Sequence, residues 1–391
     1  MHDPKLTAEQ SLITKPDYTV FIPRYKDYES DNEHIHIFRH KNLGERGLVG
    51  IWTQSTKEGT GDNHAVIAYS TDDGKSWTEP RFIVGAKKTA DYSDKQASWA
   101  FPIVSASGRI YLFCSRESDT YDYARQTSGI MSCIYSDDLG STWSDHTDIP
   151  MRMTPYDIGQ VQNNIVFQIP TKTADGAHLI GYTKWSGPKV SKASGESRIY
   201  FMKIYNIDTD PEPADFRIRF FPEDENGLTV PHPQNRESSI AQEPCIVTLP
   251  DGRLFCSMRT GAGCVYWSAS DDLGESWTVP EPLRFDDGTE FKNPISPCPT
   301  YSLGDGKYAQ LYHGHTGNVR NPLRRAYGCY TKEDRQPIKF KKSEDTEYMA
   351  LPDDAPLGYC MLSMYSSVTE INGRHILWYP DRKFFVLGKE L

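Results

Sequence analysis

The sequence predicts an all-β fold, a β-propeller with six blades, with seven blades as the alternative. Three observations predict it: a turn motif that repeats at a near-constant interval, short strand-like segments between the repeats, and the lack of any long stretch with helical periodicity. Aromatic residues make up 12% of the chain, including 23 tyrosines and 8 tryptophans. This composition favours strands over a helical bundle.

The repeated motif reads S-x-D-x-G-x-[ST]-W and occurs at residues 70–77, 136–143 and 270–277. Its copies start 66 and 134 residues apart, which is one and two periods of a propeller-sized repeat. A copy without the motif is expected near residue 203, and a degenerate copy at 330–334. In each hairpin the Asp is expected to bond the backbone of the turn, the Gly to take a positive φ, and the Trp to pack back on its own hairpin. Three equivalent copies suit a structural role better than one active site.

Six strand-like segments recur between the motifs, and we expect them to be the inner strands of the blades. They lie at residues 47–52, 108–114, 178–182, 252–258, 307–311 and 373–379. Units of this spacing give about six blades, and the first strand, at 18–23, is expected to complete the last blade. The predicted organisation is an N-terminal extension over residues 1–17 and a single propeller domain over 18–391.

Composition excludes several classes of function. The formal net charge is −10, from 43 Lys and Arg against 53 Asp and Glu, which argues against nucleic acid or an anionic membrane as partner. No apolar run is long enough to span a membrane. The N-terminus lacks the features of a signal peptide, so we expect a cytoplasmic protein or a secreted one whose leader is absent from this chain. The eight cysteines form no C-x-x-C pair and are expected to be mostly buried free thiols. A few disulfide bonds are the alternative.

The three motifs resemble the Asp-box (BNR) repeats of the sialidase superfamily. The resemblance covers roughly residues 18–391 and implies a six-bladed sialidase-like propeller whose boxes lie at the periphery, away from the active site. Such propellers include sialidases, other exo-glycosidases, some lyases and non-enzymes, so the boxes indicate the fold more strongly than the chemistry.

Residues 241–260 resemble the sialidase segment in which a Glu begins one strand and an Arg ends the next. Glu243 and Arg259 take these positions, and Tyr365, in Met-Tyr-Ser-Ser, matches the nucleophilic tyrosine. The resemblance implies that Glu243 accepts the proton of Tyr365 and that Arg259 binds a substrate carboxylate. A phenol is a poor nucleophile until a base takes its proton. The alternatives are an ion pair that closes a hairpin and a tyrosine packed at the cavity mouth.

Two further positions match the family by context. Arg320 is similar to another substrate-binding arginine of sialidases, with Arg324 and Arg325 competing for that role. Two arginines can hold one carboxylate through charge-assisted bonds. Asp62 lies where the family carries its acid/base aspartate, although an Asp beside a Gly is also common in turns.

One departure from the family concerns its Arg-Ile-Pro motif. Here the corresponding stretch is Asn-Glu-His-Ile-His, which ends at His36, and it contains no arginine. Arg24, which follows Phe-Ile-Pro, is a candidate to replace the missing arginine, but it lies earlier in the sequence than the motif requires. The sequence therefore suggests a sugar other than sialic acid, such as a uronate or a neutral sugar.

The histidines carry three competing interpretations. His34 and His36 alternate along one strand, His64 lies beside Asp62, and His313 and His315 end another strand. They can be structural, hold a transition metal or act as acid/base groups. We take His34, His36 and His64 as catalytic candidates. His313 and His315 are candidates for substrate binding. Histidine, tyrosine and arginine together can abstract a proton next to a carboxylate, which is lyase chemistry.

The sequence therefore predicts a carbohydrate-active enzyme, an exo-acting glycoside hydrolase that removes a terminal, acidic sugar from a glycan. The first alternative is a propeller polysaccharide lyase acting at a uronic acid, for example at a rhamnose–glucuronate linkage. The second is a non-catalytic glycan-binding propeller. A glycan is the expected partner, no cofactor is expected to be required, no metal-ligating residues are assigned, and a structural calcium ion is left open.

Overall fold

A computed structural model describes residues 6–24, 28–58, 60–86, 95–116, 129–157, 162–355 and 361–391. Over these ranges the chain is built of β-strands joined by turns and short 3₁₀ helices. The helices are Ala8–Leu12, Lys41–Leu43, Pro155–Asp157, Ile207–Thr209, Pro213–Asp215 and Lys342–Glu344. Within the described ranges, none of the helices has the length and apolar character needed to cross a bilayer.

The described strands form seven antiparallel sheets, six of which are the blades of a propeller. The first strand, β1, spans Tyr18–Phe21 and belongs to the last blade. Blade 1 contains β2 to β5, at Asp31–Arg39, Leu48–Ser55, His64–Ser70 and Arg81–Gly85. Blade 2 contains β6 to β9, at Ala97–Val104, Ile110–Arg116, Ile130–Ser136 and Thr147–Asp148. Blade 3 contains β10 to β14, at Asn164–Val166, Thr171–Lys172, His178–Trp185, Ser197–Ile204 and Ile218–Phe221.

A two-stranded hairpin, β15 at Pro231–His232 and β16 at Asn235–Ser239, precedes blade 4. Blade 4 contains β17 to β20, at Ala241–Thr248, Leu254–Thr260, Tyr266–Ser270 and Glu281–Pro282. Blade 5 contains β21 to β25, at Thr300–Ser302, Lys307–Tyr312, Leu323–Tyr330, Ile338–Phe340 and Thr346–Met349. Blade 6 contains β26 to β28, at Ser367–Ile371, Arg374–Asp381 and Phe385–Glu390. Strand β1 pairs with β28, so the predicted closure of the last blade by the first strand is confirmed.

The apolar core is divided among the six interfaces between neighbouring blades. Each interface holds one cluster of buried side chains, including the interface that joins blade 6 to blade 1, where Trp52 and Trp378 are fully buried. Burial of such surfaces stabilises the ring because every blade has an apolar partner on both sides. The predicted six-bladed, all-β propeller is therefore confirmed.

The Asp boxes lie in the turns after the third strands, at the periphery. In the first box, Asp72 accepts a hydrogen bond from the Ser76 backbone N–H at 2.9 Å, as predicted, and Gly74 has a φ of 81°. Each Trp packs back on its own hairpin, as predicted: its Nε1 donates to the carbonyl of the box glycine, at 3.0 Å for Trp77, 3.2 Å for Trp143 and 3.1 Å for Trp277. The sequence did not show that the same rings also reach a neighbouring blade. Trp77 packs against Trp378 of the preceding blade, with ring centroids 5.8 Å apart, and Trp277 stacks on Phe201 of blade 3 at 4.4 Å. The boxes therefore fasten neighbouring blades to each other.

The six segments predicted as inner strands are the second strands of their blades, so this prediction was wrong. In blade 1, for example, the order from the axis outward is β2, β3, β4, β5. Every residue of β3 is buried, which produces the strong apolar signal, whereas the innermost strand β2 contains the polar residues Asn32, Glu33 and His34.

Three innermost strands share one irregularity that shapes the centre of the molecule. In β2, β6 and β17 the pairing register shifts at the same place, and the residue at the shift has a left-handed backbone: His34 (φ 54°), Trp99 (φ 52°) and Glu243 (φ 50°). A β-bulge turns a side chain out of the alternation of the strand, and strained backbone of this kind concentrates at functional sites. The three bulges place these residues around the axis.

Part of the predicted N-terminal extension packs on blade 6. Leu6 belongs to the apolar cluster between blades 5 and 6, and the Thr14 hydroxyl lies 2.8 Å from the Tyr379 hydroxyl. The division into an extension at 1–17 and a propeller at 18–391 stays a prediction. The seven cysteines within the described ranges are free thiols, and all but Cys329 are buried.

Candidate active site

The centre of the propeller brings together side chains from blades 4 and 6. Glu243 begins β17, Arg259 is near the end of β18, and Tyr365 lies just before β26. The Tyr365 hydroxyl donates a hydrogen bond to Glu243 Oε1 at 3.1 Å, and Arg259 Nη1 donates to the same oxygen at 2.6 Å. The three residues that the sequence placed in one site therefore touch one another.

The walls around this group are apolar. Tyr365 packs edge-on against Phe167 from blade 3, with ring centroids 5.8 Å apart, and contacts Cys245 in a small buried cluster at the axis. Among the described residues, Glu243 Oε2 and Arg259 Nε have no hydrogen-bond partner although both are buried. Buried polar atoms without partners are costly, so both atoms are available to a bound ligand.

Burial and the neighbouring charges both shift the pKa of the Tyr365 phenol. Burial raises the pKa of Tyr365, and the neighbouring Glu243 carboxylate raises it further, while Arg259, Arg320 and Lys383 act in the opposite direction. Burial lowers the pKa of Arg259, but Glu243 and Tyr365 outweigh it, so the guanidinium stays charged. The site thus holds a neutral phenol beside a carboxylate, with cations ready to stabilise a phenolate.

His34 covers the other face of Tyr365. The two rings are stacked with centroids 4.8 Å apart, and His34 is 1% exposed. Neither ring nitrogen of His34 or of His36 has a hydrogen-bond partner among the described residues. Burial lowers the pKa of His34 well below its usual value and that of His36 to about 3. Both imidazoles are therefore neutral near pH 7 and can donate to or accept from a ligand hydroxyl.

A buried lysine joins the site from the turn between β27 and β28. Lys383 Nζ lies 5.2 Å from the centre of the Tyr365 ring, 2.6 Å from Glu33 Oε2 and 3.0 Å from Glu58 Oε2. Its backbone has a φ of 51°. Sequence reasoning missed Lys383, Glu33 and Glu58; the only signal was the basic pair Arg382–Lys383 at a hairpin turn, where Asn-Gly or Asp-Gly is the usual choice.

Asp62 and His64 lie at the β3–β4 loop and the start of β4. The Asp62 carboxylate accepts hydrogen bonds from the Thr56 backbone N–H, the Thr56 hydroxyl and the Thr60 hydroxyl. His64 Nδ1 bonds the Asp62 carbonyl at 3.0 Å, and its ring stacks on Tyr28 at 3.9 Å. Burial lowers the pKa of His64 to about 4. In the described contacts both residues serve the loop and do not touch Tyr365.

The predicted substrate-binding residues of blade 5 are held in two different ways. Arg320 donates to the Ser363 hydroxyl at 2.6 Å and the Ile295 carbonyl at 3.1 Å, and its charge acts on Tyr365. Arg324 forms a bidentate pair with Asp345, with both bonds at 2.9 Å. The Arg324 guanidinium is therefore held by Asp345. Of these two arginines, Arg320 is the one whose charge acts on Tyr365, together with that of Arg259.

His313 and His315 use their ring nitrogens within their own loop. His313 bonds the Ser296 hydroxyl and the Pro322 carbonyl, and burial lowers its pKa to about 3. His315 accepts from the Gly317 backbone N–H and bonds the Asn321 carbonyl. Their assignment to substrate binding stays a prediction. In the parts of the chain that the structure describes, no group of three or more His, Cys, Asp or Glu side chains is arranged to hold a metal ion.

The fold and this central group define a six-bladed Asp-box propeller with a Tyr–Glu–Arg cluster at its axis. The model of the BNR repeat-like domain matches residues 46–347. The chain belongs to this family and thereby to the sialidase superfamily.

Two curated proteins are similar in sequence. A sialidase of Clostridium perfringens is 28% identical over 238 residues, and a sialidase of Paraclostridium sordellii is 25% identical over 240 residues; each match covers 57% of this chain. The matches cover 55% and 52% of those two proteins, so the chain spans about half the length of the curated relatives it matches.

Solved structures agree on the architecture. The intramolecular trans-sialidase from Ruminococcus gnavus superposes with a TM-score of 0.62 at 15% identity, covering 96% of this chain and 97% of that one. The NanB sialidase from Streptococcus pneumoniae gives a TM-score of 0.60 at 14% identity, covering 98% of this chain and 71% of that one. A protein of unknown function from Dyadobacter fermentans matches equally well, with a TM-score of 0.62. At these identities the likeness establishes the fold.

Proposed function

We propose that the protein is an exo-acting glycoside hydrolase that removes a terminal acidic sugar from a glycan. One observation carries the proposal: the Tyr365 hydroxyl donates to the same Glu243 oxygen that Arg259 holds. A tyrosine paired with a carboxylate base is the arrangement that lets a phenol act as a nucleophile. Tyrosine nucleophiles are a recognised exception to the paired-carboxylate scheme of glycosidases. The sialidase names of the two curated relatives support the same class of reaction.

In the proposed reaction Glu243 takes the proton of Tyr365 as the phenolate attacks the anomeric carbon. Arg259 and Lys383 stabilise the negative charge that develops on the phenol, since both already act on it electrostatically. Water then releases the sugar from the tyrosine. Two displacements at one carbon leave the anomeric configuration of the sugar unchanged. The reaction moves protons and one glycosyl group, so the proposal includes no cofactor.

The sugar is proposed to be acidic because two arginines face the site. Arg259 keeps a buried Nε without a partner among the described residues, and the Arg320 charge acts on Tyr365. The stretch at the place of the family's remaining arginine, residues 32–36, contains no arginine, and His34 within it is neutral. A sugar acid that needs only two cations, such as a hexuronate, therefore suits the site better than sialic acid.

The test is a panel of 4-methylumbelliferyl glycosides of N-acetylneuraminate, glucuronate and galacturonate, with neutral galactoside as control. Release of the fluorophore from an acidic glycoside, with a saturated free sugar as product, is the expected result. If the protein binds an acidic oligosaccharide but cleaves neither it nor the panel, the non-catalytic alternative replaces the proposal.

A polysaccharide lyase is the second candidate, and His34 is the observation that favours it. A neutral imidazole stacked on Tyr365, with both nitrogens unpartnered among the described residues, can take the proton next to a uronate carboxylate. The leaving sugar would then depart by elimination, so the product would carry a carbon–carbon double bond. An unsaturated product from a uronate-containing oligosaccharide would decide for the lyase.

A further inference from the structure

The proposed hydrolysis requires a second group, one that protonates the departing glycosidic oxygen and later activates water. Sequence similarity points to Asp62 for this role. In the structure, however, Asp62 is 5% exposed and both its oxygens are occupied by its own loop. Oδ2 accepts from the Thr56 hydroxyl at 2.6 Å and the Thr56 N–H at 3.1 Å, and Oδ1 accepts from the same N–H and from the Thr60 hydroxyl. A carboxylate has about four lone-pair sites, so little capacity remains for a substrate.

The same loop presents another carboxylate, Glu58. The Glu58 side chain is 35% exposed, so water and a glycan can reach it. Its Oε2 lies 3.0 Å from Lys383 Nζ, and this ammonium lies 5.2 Å from the centre of the Tyr365 ring. Glu58 and the proposed nucleophile therefore both lie beside the Lys383 ammonium group.

The backbone of Glu58 is also fixed in place. Its N–H donates to the Asp31 carboxylate at 3.1 Å, and Asp31 is the first residue of the innermost strand of blade 1. The loop that carries Asp62 is thereby fastened to the axis at Glu58. In this arrangement the Asp62 carboxylate accepts hydrogen bonds that hold the loop together, whereas the Glu58 carboxylate is accessible from solvent.

Three carboxylates interact with the ammonium group of Lys383: Glu33 and Glu58 form ion pairs with it, and Asp31 feels its charge. Burial raises the pKa of Asp31 to about 7; Lys383 opposes this, and the neighbouring Glu33 and Glu58 charges add to it. Burial likewise raises the pKa of Glu33, with Lys383 opposing and Glu58 adding. The Lys383 charge also acts on His34 and on Tyr365. Like charges this close oppose one another's ionisation, so each carboxylate of the cluster favours a proton on its neighbours.

We propose that Glu58 is the acid/base residue of the site and that Lys383 positions it against Tyr365. The proposal rests on the hydrolase function given above. In the first step Glu58 gives its proton to the glycosidic oxygen as the bond from that oxygen to the anomeric carbon breaks. The bond from Tyr365 to that carbon forms at the same time, and Glu243 holds the phenol proton. In the second step Glu58 takes a proton from water, the water oxygen bonds the anomeric carbon, and Tyr365 leaves and regains its proton from Glu243.

The experiment compares two aryl glycosides of the acidic sugar that the wild type cleaves, one with phenol and one with the more acidic 4-nitrophenol as leaving group. Protonation matters for phenol and little for 4-nitrophenol. Glu58→Gln should therefore cleave the phenyl glycoside about 10²–10⁴-fold more slowly than wild type. Its kcat/KM on the 4-nitrophenyl glycoside, which reports the first step alone, should stay within about tenfold of wild type, because that leaving group departs without the protonation that Glu58 supplies. Its kcat should fall on both glycosides, because Glu58 also activates the water of the second step. Added azide, which needs no base, should speed turnover of Glu58→Gln and yield the glycosyl azide.

Asp62→Asn is the matched comparison on the same loop, and it should keep the wild-type ratio between the two substrates. The assignment is overturned if Glu58→Gln loses kcat/KM equally on both substrates, or if Asp62→Asn shows the selective loss of kcat/KM on the phenyl glycoside. Glu58→Asp, which keeps an acid, should recover part of the phenyl glycoside rate, and thermal melting of each variant checks the fold.

The same series separates failure of this assignment from failure of the hydrolase proposal. Tyr365→Phe should lose both glycosides. If it keeps turnover of the 4-nitrophenyl glycoside, or if the wild type cleaves neither glycoside, the hydrolase proposal falls and the role of Glu58 falls with it.

Discussion

Replacing Glu243 with glutamine tests the Tyr365–Glu243–Arg259 cluster most fully, because the change removes one charge and almost no volume. The variant can no longer take the proton of Tyr365. Loss of one positioned base costs about 10²–10⁴ in rate, or about 2.7–5.5 kcal/mol of transition-state stabilisation. Since hydroxide can replace the missing base, the deficit in kcat/KM should shrink as the pH rises. A fluorogenic glycoside of the cleaved sugar serves as the assay.

The same variant should change stability and the titration of the phenol in a definite direction. Arg259 is left without its counter-charge, but the glutamine carbonyl can still accept its bond, so we expect a loss of at most about 3 kcal/mol in the free energy of unfolding, the lower end for a broken buried pair. The Glu243 charge raises the pKa of Tyr365, so removing it should lower that pKa. Ultraviolet difference titration against the Glu243→Gln/Tyr365→Phe double variant isolates this one tyrosine.

Glu237→Gln is the matched control, an exposed glutamate on β16, outside the cluster. It should match wild type in rate, melting temperature and phenol titration. The reasoning is refuted if Glu243→Gln stays within tenfold of wild type near neutral pH, or if the pKa of Tyr365 rises.

The other predictions concern anion binding, the histidine and the Asp boxes. Arg259→Lys keeps the charge but loses the planar fork, so KM for an acidic glycoside should rise about 10–100-fold, as expected for a charged hydrogen bond worth about 1.5–3 kcal/mol, while circular dichroism stays unchanged; an unchanged KM would remove the anion-binding role. Tyr365→Phe should reduce turnover more than His34→Ala, and the reverse order would favour the lyase. Bonds from the Thr142 hydroxyl and N–H lower the pKa of Asp138 to about 2, so its contribution to stability is present above about pH 4 and is lost as the pH falls toward 2. Because Asp138 is exposed, we expect Asp138→Ala to cost about 1 kcal/mol at pH 7 and less at pH 2 in denaturant melts, with kcat unchanged; a larger cost at pH 2 than at pH 7 would contradict this.

The propeller could be predicted from the sequence because each Asp box encodes its own turn. The turn contacts of a box join its serine, aspartate, glycine and tryptophan within eight residues. The motif can therefore be recognised in the sequence. The target of the tryptophan could not be predicted in the same way, since Trp77 packs on Trp378, which lies in the blade that closes the ring. The order of strands within a blade was misjudged because the fully buried second strands are the most apolar, whereas the inner strands carry polar residues to the axis.

Some residues of the site could likewise be predicted from local sequence patterns, and others could not. Glu243, Arg259 and Tyr365 stand in segments whose pattern marks them, and the structure brings them into contact. Glu58, Glu33 and Lys383 come from three separate elements, and none stands in a recognisable motif. Their meeting depends on the closure of blade 6 beside blade 1, a long-range contact that no local pattern encodes. The bulges at His34 and Glu243 are likewise visible only in the backbone.

The most direct test of the central claim follows the product of the reaction in time by proton NMR. Wild-type protein is incubated with an aryl glycoside of the acidic sugar that it cleaves and with a uronate-containing oligosaccharide. A Tyr365 nucleophile predicts a saturated sugar that first appears with the anomeric configuration of the substrate and only then mutarotates. An inverted first product, or a vinyl proton from an unsaturated uronate, would contradict the account.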